Sequence, residues 1–233
     1  MPRVVHIIGN GPSAKYYQAQ ERKGLKLTCN IPPFEVPDAY CTVMVDFKMM
    51  KALTEKKLTI PGEWMLGYRP KIWMQQNPQF HMMMAPKIKG FYLKLPKYAK
   101  NYTDFNCGHM ATHYACTTFK PDIVYMWGFD SVFDLNLTSS ADKYLSSPRD
   151  DKHNVKLSDN WRPIWQNMFR EFSDTQFVMS HGHSNIKFKV PSNVKIDVYT
   201  DLGGGEYKLK EYEPGSPLKK LLEMREKQVP QPL

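Results

Sequence analysis

The feature that most constrains this chain is VVHII, residues 4–8, running straight into Gly9, Asn10, Gly11, Pro12 and Ser13 before the spacing turns helical. A short, mostly apolar run suits a strand buried on both faces, and such strands belong to parallel sheets covered by helices. The glycines of the turn let main-chain N–H groups approach a ligand, and the helix start behind them favours an anion. Asn10 is placed to hydrogen-bond a base or a phosphate. The turn is not GxGxxG and lacks the lysine of a P-loop, so taken alone it is more simply a strand-to-helix connector.

The alternation that follows predicts the fold. Residues 14–22 read as a helix, LKLTCN (25–30) and AYCTVMVD (39–46) as strands, and FKMMKALTEKK (47–57) as a helix. This βαβαβ rhythm predicts an α/β, Rossmann-like fold: a mostly parallel central sheet with helices on both faces. Residues 60–105 are punctuated by Pro61, Pro70, Pro78, Pro86 and Pro96, so short strands and loops are expected, with PQFHMMMAP (78–86) as a further strand. CGHMATHYACTTF (107–119) and NWRPIWQNMFREF (160–172) read as helices, DIVYMWGFD (122–130) and TQFVMS (175–180) as strands. The polar, Ser- and Asp-rich residues 131–158 read as a mobile lid. One domain, 1–190, is expected to hold the site and this lid. Residues 191–233 form a small C-terminal β/α extension on the same domain, with a turn at LGGGE and a helix near 218–227.

Composition sets limits. Hydrophobic residues make up 42% of the 233, enough for a real core. No apolar stretch could span a bilayer and the N-terminus lacks a signal-peptide core, so a cytoplasmic protein with no membrane partner is expected. Cys29, Cys41, Cys107 and Cys116 lie in apolar patterns without a CxxC pair, which predicts buried free thiols and no zinc site.

Every expected parallel strand ends in small or polar residues: Gly9 to Ser13, then Asn30, Asp46, and Gly128–Phe129–Asp130. Ligands of open α/β sheets bind at the carboxyl ends of strands. Four strand ends on one edge would make a polar cleft, a stronger signal than any single motif. His153, among Asp150, Asp151 and Lys152, suits a base of near-neutral pKa or is a plain loop histidine. His181 and His183 in MSHGHSN follow the next strand and face the cleft edge, as a structural or substrate-contacting pair. His109 and His113 are one helical turn apart, and His113 is expected to pack. No Asp-x-Asp pair stands at a strand end, so catalysis without a metal is expected, and no metal ligands are assigned.

The net charge of +9 is unevenly spread. From Trp64 to Thr103 there is no acid but seven bases, and in PKIKGFYLKLPKYAKNY Lys87, Lys89, Lys94, Lys97 and Lys100 alternate with Phe91, Tyr92, Tyr98 and Tyr102. Basic residues interleaved with aromatics suit a polyanion whose bases can stack. The other reading is a solvated basic surface around a hairpin.

The order VVHIIGNGPSA, TCN, VMVD, NCGHMATHYACTTFKPDIVYMWGFD and then a lid with DDKHN resembles the bacterial sialyltransferases that use CMP-sialic acid. It resembles, more distantly, the MptE-like pyrophosphokinases, which share a GNGPS-type turn. The likeness spans residues 4–180 with gaps in the middle. It implies a GT-A-like sialyltransferase variant of the fold and a nucleotide-sugar co-substrate, CMP- or UDP-linked, with no tightly bound cofactor. It also implies homo-oligomers. By position, Gly9, Asn10, Gly11 and Ser13 would hold the donor nucleotide, and Asn30 would lie at the scissile bond. Asp46, an acid in place of the family's amide, would meet the nucleotide sugar. Asn106, Cys107 and Gly108 would bind the base, Gly128 and Asp130 the ribose, and His153 would be the general base. Two positions depart from the family. Asp104 stands near the family's carboxylate-binding Arg, and Val132 and Phe133 replace its phosphate-binding tyrosines, leaving Tyr144 as a substitute. A neutral sugar fits these changes at least as well as sialic acid.

The sequence therefore supports a glycosyltransferase whose acceptor is either a glycan or, given the charge and the absence of an anchor, a hydroxymethylated base in DNA of the phage-modified kind. A pyrophosphokinase and a non-catalytic nucleic-acid-binding module are the other readings.

Overall fold

A computed structural model describes residues 3–19, 21–133, 138–145 and 155–210. Among these described residues nine strands run in chain order: β1 (Val4–Ile8), β2 (Leu25–Cys29), β3 (Cys41–Met44), β4 (Trp64–Leu66), β5 (Ile88–Phe91), β6 (Ile123–Trp127), β7 (Gln176–His181), β8 (Val194–Gly203) and β9 (Glu206–Leu209). They form one sheet in the order β5-β4-β3-β2-β1-β6-β7-β8-β9. All neighbours are parallel except β8 and β9, which close one end as an antiparallel pair. The chain winds outward from β1 to β5, returns to the middle for β6, and winds the other way. This is the doubly wound α/β arrangement, with its order reversing between β1 and β6.

The helices are α1 (Phe47–Thr54), α2 (Tyr68–Gln76), α3 (Pro78–Met84), α4 (Cys107–Phe119) and α5 (Arg162–Glu171). Strand alternation distributes them over both faces. Val5 and Ile7 share a core with Met110 and Ala111 of α4 and Trp165 and Phe169 of α5. Ile8 packs in a different core with Ala14, Tyr16 and Trp127. Met44, Trp64 and Leu66 pack with Met49 and Leu53 of α1, Met74 of α2 and Phe80 of α3. All four cysteines are buried free thiols, as their apolar surroundings predicted.

Three expectations need correction. PQFHMMMAP is not a strand: Pro78–Met84 is helical, because Pro78 sits at the first helical position, where its missing N–H costs nothing. Tyr68–Gln76 is likewise a helix with Pro70 in its first turn, inside a stretch expected to be strands and loops. The segment after the glycine turn is a 3-10 helix, Pro12–Ala19, not an α-helix reaching residue 22. The extension beyond residue 190 supplies β8 and β9 to the same sheet, and the turn at Gly203–Gly205 lies between them. The helix expected near 218–227 lies outside the described residues. No helix among the described residues is long and apolar enough to cross a membrane.

Candidate active site at the carboxyl edge of the sheet

The carboxyl ends of β1, β2, β3 and β6 meet at one cleft of about 230 Å³, directly over the β1/β6 reversal. β1 contributes Asn10 and Gly11, β2 Asn30, β3 Asp46, and β6 Gly128, Phe129 and Asp130. The N-terminus of α4 brings Asn106 and Cys107, α1 brings Lys48 and Met49, and Ser131, Thr138, Ser139, Ala141, Asp142, Leu145 and Trp161 form the remaining wall. Gly9, Ser13 and Gly108 stand behind this lining.

The glycines serve strand packing more than ligand approach. Gly9 N–H donates to Trp127 O at 2.7 Å and Gly11 N–H to Gly128 O at 3.0 Å, extending the β1–β6 ladder past the strand ends. A Cβ on Gly9 would lie 2.8 Å from Gly128 O, and one on Gly11 only 2.0 Å from Asp130 Oδ2. Gly128 has φ +78°, which favours glycine, and faces Ala14 Cβ and Gly9. A Cβ on Gly108 would meet the Phe129 ring at 2.4 Å, so this glycine lets Phe129 lie on the first turn of α4.

The amides divide their work. With its nitrogen toward the neighbouring carbonyls, Asn10 donates to Ile31 O at 3.0 Å and to Cys29 O, stitching β1 to the end of β2. This structural role replaces the expected base or phosphate contact for those donors. Asn106 caps α4: its Oδ1 accepts from His109 N–H at 3.0 Å, while its own N–H donates to His109 Nδ1 at 3.2 Å. His109 Nε2–H then donates to Trp161 O at 3.2 Å. His109 is fully buried, and burial pushes its pKa down to about 3, so it is a neutral structural imidazole. His113 is also buried, with Nδ1 2.6 Å from Tyr92 Oη, as the packing expectation required. Asn30 has φ +48°, and its Oδ1 is buried without a hydrogen-bond partner, as is Trp161 Nε1.

Each acid of the cleft is held by donors. Asp46 Oδ1 accepts from Arg69 at 2.8 Å, so a nearby ligand carboxylate does not meet an unbalanced charge there. Asp130, nearly buried, accepts from Ser13 N–H at 3.2 Å and Ser13 Oγ–H at 2.8 Å. His181 Nε2 lies 3.3 Å from Asp130 Oδ1, and its ring stacks on Phe133 at 4.2 Å. Ser13 thus anchors Asp130 and does not line the cleft. Serine and histidine both bond the carboxylate and not each other, which is not the order of a nucleophilic triad. Cys107 donates its S–H to Val43 O at 2.7 Å, and burial raises its pKa well above the ordinary thiol value, so it is no nucleophile. No group of three metal-ligating side chains occurs among the described residues.

Of the stretch expected to be a lid, Ser140 N–H donates to Asn10 O at 2.9 Å and Ser140 Oγ to Ile31 O, docking residues 138–145 on the ends of β1 and β2. Tyr144 is half exposed and lies off the cleft, so it does not take the phosphate-binding place. His153 lies outside the described residues. Asp104, at the family's arginine position, is buried with Lys156 Nζ 3.3 Å away.

The basic stretch is corrected in its detail. Lys89 pairs with Glu63 over the Tyr40 ring, and Lys87 Nζ donates to Ile60 O at 3.1 Å, so both hold the β4–β5 edge. Lys94, Lys97 and Lys100 are exposed. The rings expected to stack on bases are mostly taken: Tyr92 is buried on His113, and Tyr98 donates to Glu171. Tyr102 instead stacks on Tyr68, 4.4 Å between centroids and 16° from parallel.

Sequence reasoning did not connect His181 to Asp130, though both close neighbouring parallel strands and the strand-end rule applies equally to them. For Trp161 and Tyr68 no motif gave a signal.

The fold and site define an α/β protein with a nine-stranded, mostly parallel sheet and a polar cleft at its order reversal. No protein-family model, curated protein or solved structure matches this chain.

Proposed function

We propose that this chain is a glycosyltransferase, a GT-A-like sialyltransferase variant in its fold, that uses a CMP- or UDP-linked sugar. The observation that carries the reading is the convergence of four parallel strand ends and the α4 N-terminus on one cleft at the β1/β6 reversal, the place where open α/β sheets take nucleotides. The partial positive charge of the α4 start suits the leaving phosphate. Asp46 and Asp130 are acceptors suited to ribose hydroxyls. Asn30, with a strained backbone and an unsatisfied Oδ1, lies where sugar and phosphate would meet. The acceptor hydroxyl oxygen attacks the anomeric carbon, the bond from that carbon to the phosphate oxygen breaks, and the electron pair leaves with the nucleotide. The hydroxyl proton passes to a base, which the sequence assigns to His153. The acceptor is proposed to be a hydroxymethylated base of DNA, and the protein to work in the cytoplasm.

The test is a thermal-shift panel with CMP, UDP, GDP and ATP, each with and without Mg²⁺. A ligand that binds only the native state raises its melting temperature. A metal-independent shift with a pyrimidine nucleotide is the expected result. A shift with ATP and Mg²⁺ alone would replace this reading with a pyrophosphokinase, and no shift at all would leave only a binding module.

A further inference from the structure

Beside the cleft, on the same carboxyl edge, lies a second and much smaller depression, lined by Tyr68, Arg69, Lys94 and Tyr102 over Phe105 and Met110. Its space is only about 10 Å³, too small to take a ring, so a flat ligand would lie on the exposed Tyr68 ring that rims it, and this surface is the platform. Val45 belongs to the platform and Asp46 to the cleft, so the end of β3 joins the two, with the Asp46–Arg69 ion pair between them.

The platform has three properties that point the same way. Tyr68 is 41% exposed although it is stacked on Tyr102, so aromatic surface remains for a ligand. The Tyr102 ring is fixed from behind, because its hydroxyl donates to Leu93 O at 2.8 Å. The net charge is positive: Arg69 is paired with Asp46, while Lys94 lines the platform, exposed Lys97 and Lys100 follow in the chain, and the segment Trp64 to Thr103 contributes no acid. A rigid flat ring flanked by cations suits a flat π-face carried on an anionic backbone. A neutral sugar would use the ring but not the cations, and a paired base has no free face to offer.

We infer that the Tyr68–Tyr102 platform, with Arg69 and Lys94, is the acceptor subsite and stacks an unpaired nucleobase of a nucleic-acid strand beside the donor cleft. The inference rests on the glycosyltransferase reading for the word acceptor. The stacking site itself rests on the platform alone. A base held there would have left its duplex or come from a single strand.

The experiment measures binding of a fluorescein-labelled single-stranded oligothymidylate to the full chain by anisotropy, across a salt series. Neutral and sulfated oligosaccharides serve as competitors. Loss of one stacked base is worth about 1–3 kcal/mol, so Tyr68→Ala should weaken binding by roughly 5- to 150-fold. Tyr68→Phe should retain it, which covers a fold defect in the alanine variant. Lys94→Gln should lower the slope of log K against log salt by about 0.7. Tyr68→Ala should leave the nucleotide-induced thermal shift unchanged. Equal binding by Tyr68→Ala and wild type, or displacement by the sulfated sugar alone, would overturn the platform. If nucleotides shift the protein but Tyr68→Ala binds the strand normally, the subsite fails and the enzyme reading stands. If Tyr68→Ala loses the strand but no nucleotide shifts the wild type, the platform stands and the enzyme reading fails.

Discussion

Gly11→Ala puts the β1–β6 junction under direct test. The added Cβ would sit 2.0 Å from Asp130 Oδ2 and 2.7 Å from Gly128 O. Reaching an ordinary contact of 3.4 Å requires the carboxylate oxygen to retreat by 1.4 Å, the difference of the two distances. That retreat breaks the 2.8 Å bond from Ser13 Oγ, and the backbone clash stretches the 3.0 Å bond from Gly11 N–H to Gly128 O. A hydrogen bond to a charged group contributes about 1.5–3 kcal/mol and a backbone one about 0.5–1.5, so a loss of about 2–4 kcal/mol is expected. For a chain of this size that corresponds to a fall in Tm of roughly 5–15 °C. Differential scanning fluorimetry and urea titration both read it. Gly90→Ala is the control, since its Cβ would meet Met65 at an ordinary 3.5 Å. Asp130→Ala removes the side-chain clash but not the backbone one, so Gly11→Ala should cost less in that background. A Tm for Gly11→Ala equal to that of Gly90→Ala, or strict additivity with Asp130→Ala, would refute the packing argument.

Three further outcomes are expected. Burial lowers the pKa of His6 to about 4 and of His109 to about 3, both below the ordinary 6.5. The unfolded chain therefore binds protons first on acidification. Stability is full above about pH 6.5 and should fall by several kcal/mol in all as pH drops from about 6 to 4, the two histidines contributing together. A flat urea midpoint across that range would contradict it. Asn106→Ala removes the α4 cap and should cost about 1 kcal/mol, while weakening nucleotide binding at the helix start. An unchanged nucleotide affinity in that variant would separate α4 from the ligand. The proposed glycosyl transfer should persist in EDTA, and loss of turnover restored by Mn²⁺ or Mg²⁺ would end the metal-independent reading.

The central strands were legible because buried parallel strands are short and mostly apolar, with few polar interruptions such as His6 and Thr42, and their polar ends announce the cleft. The edge beyond β3 was not. β4 is only three residues long, and Pro70 and Pro78 look like breakers although they open helices. The lysine–tyrosine alternation could not tell which rings are free, for a related reason. Which ring is free depends on distant partners: Tyr92 is claimed by His113, 21 residues on, and Tyr98 by Glu171, 73 residues on. The glycines of the first turn were noticed, but the neighbours that exclude a Cβ belong to residues 127–130 and do not show in local spacing.

The placement of β6 beside β1 has a consequence for synthesis. Val4 pairs with Ile123, and the turn after β1 is completed only by Gly128 and Asp130. A nascent chain can assemble the β1-to-β5 half while one flank of β1, a largely buried central strand, stays bare. Until Trp127 leaves the ribosome, that flank is an apolar sticky edge with open N–H and C=O groups. Stalled or truncated products ending before Ile123 should therefore collect in inclusion bodies or on chaperones, and the candidate cleft cannot close until Gly128 to Asp130 have been made.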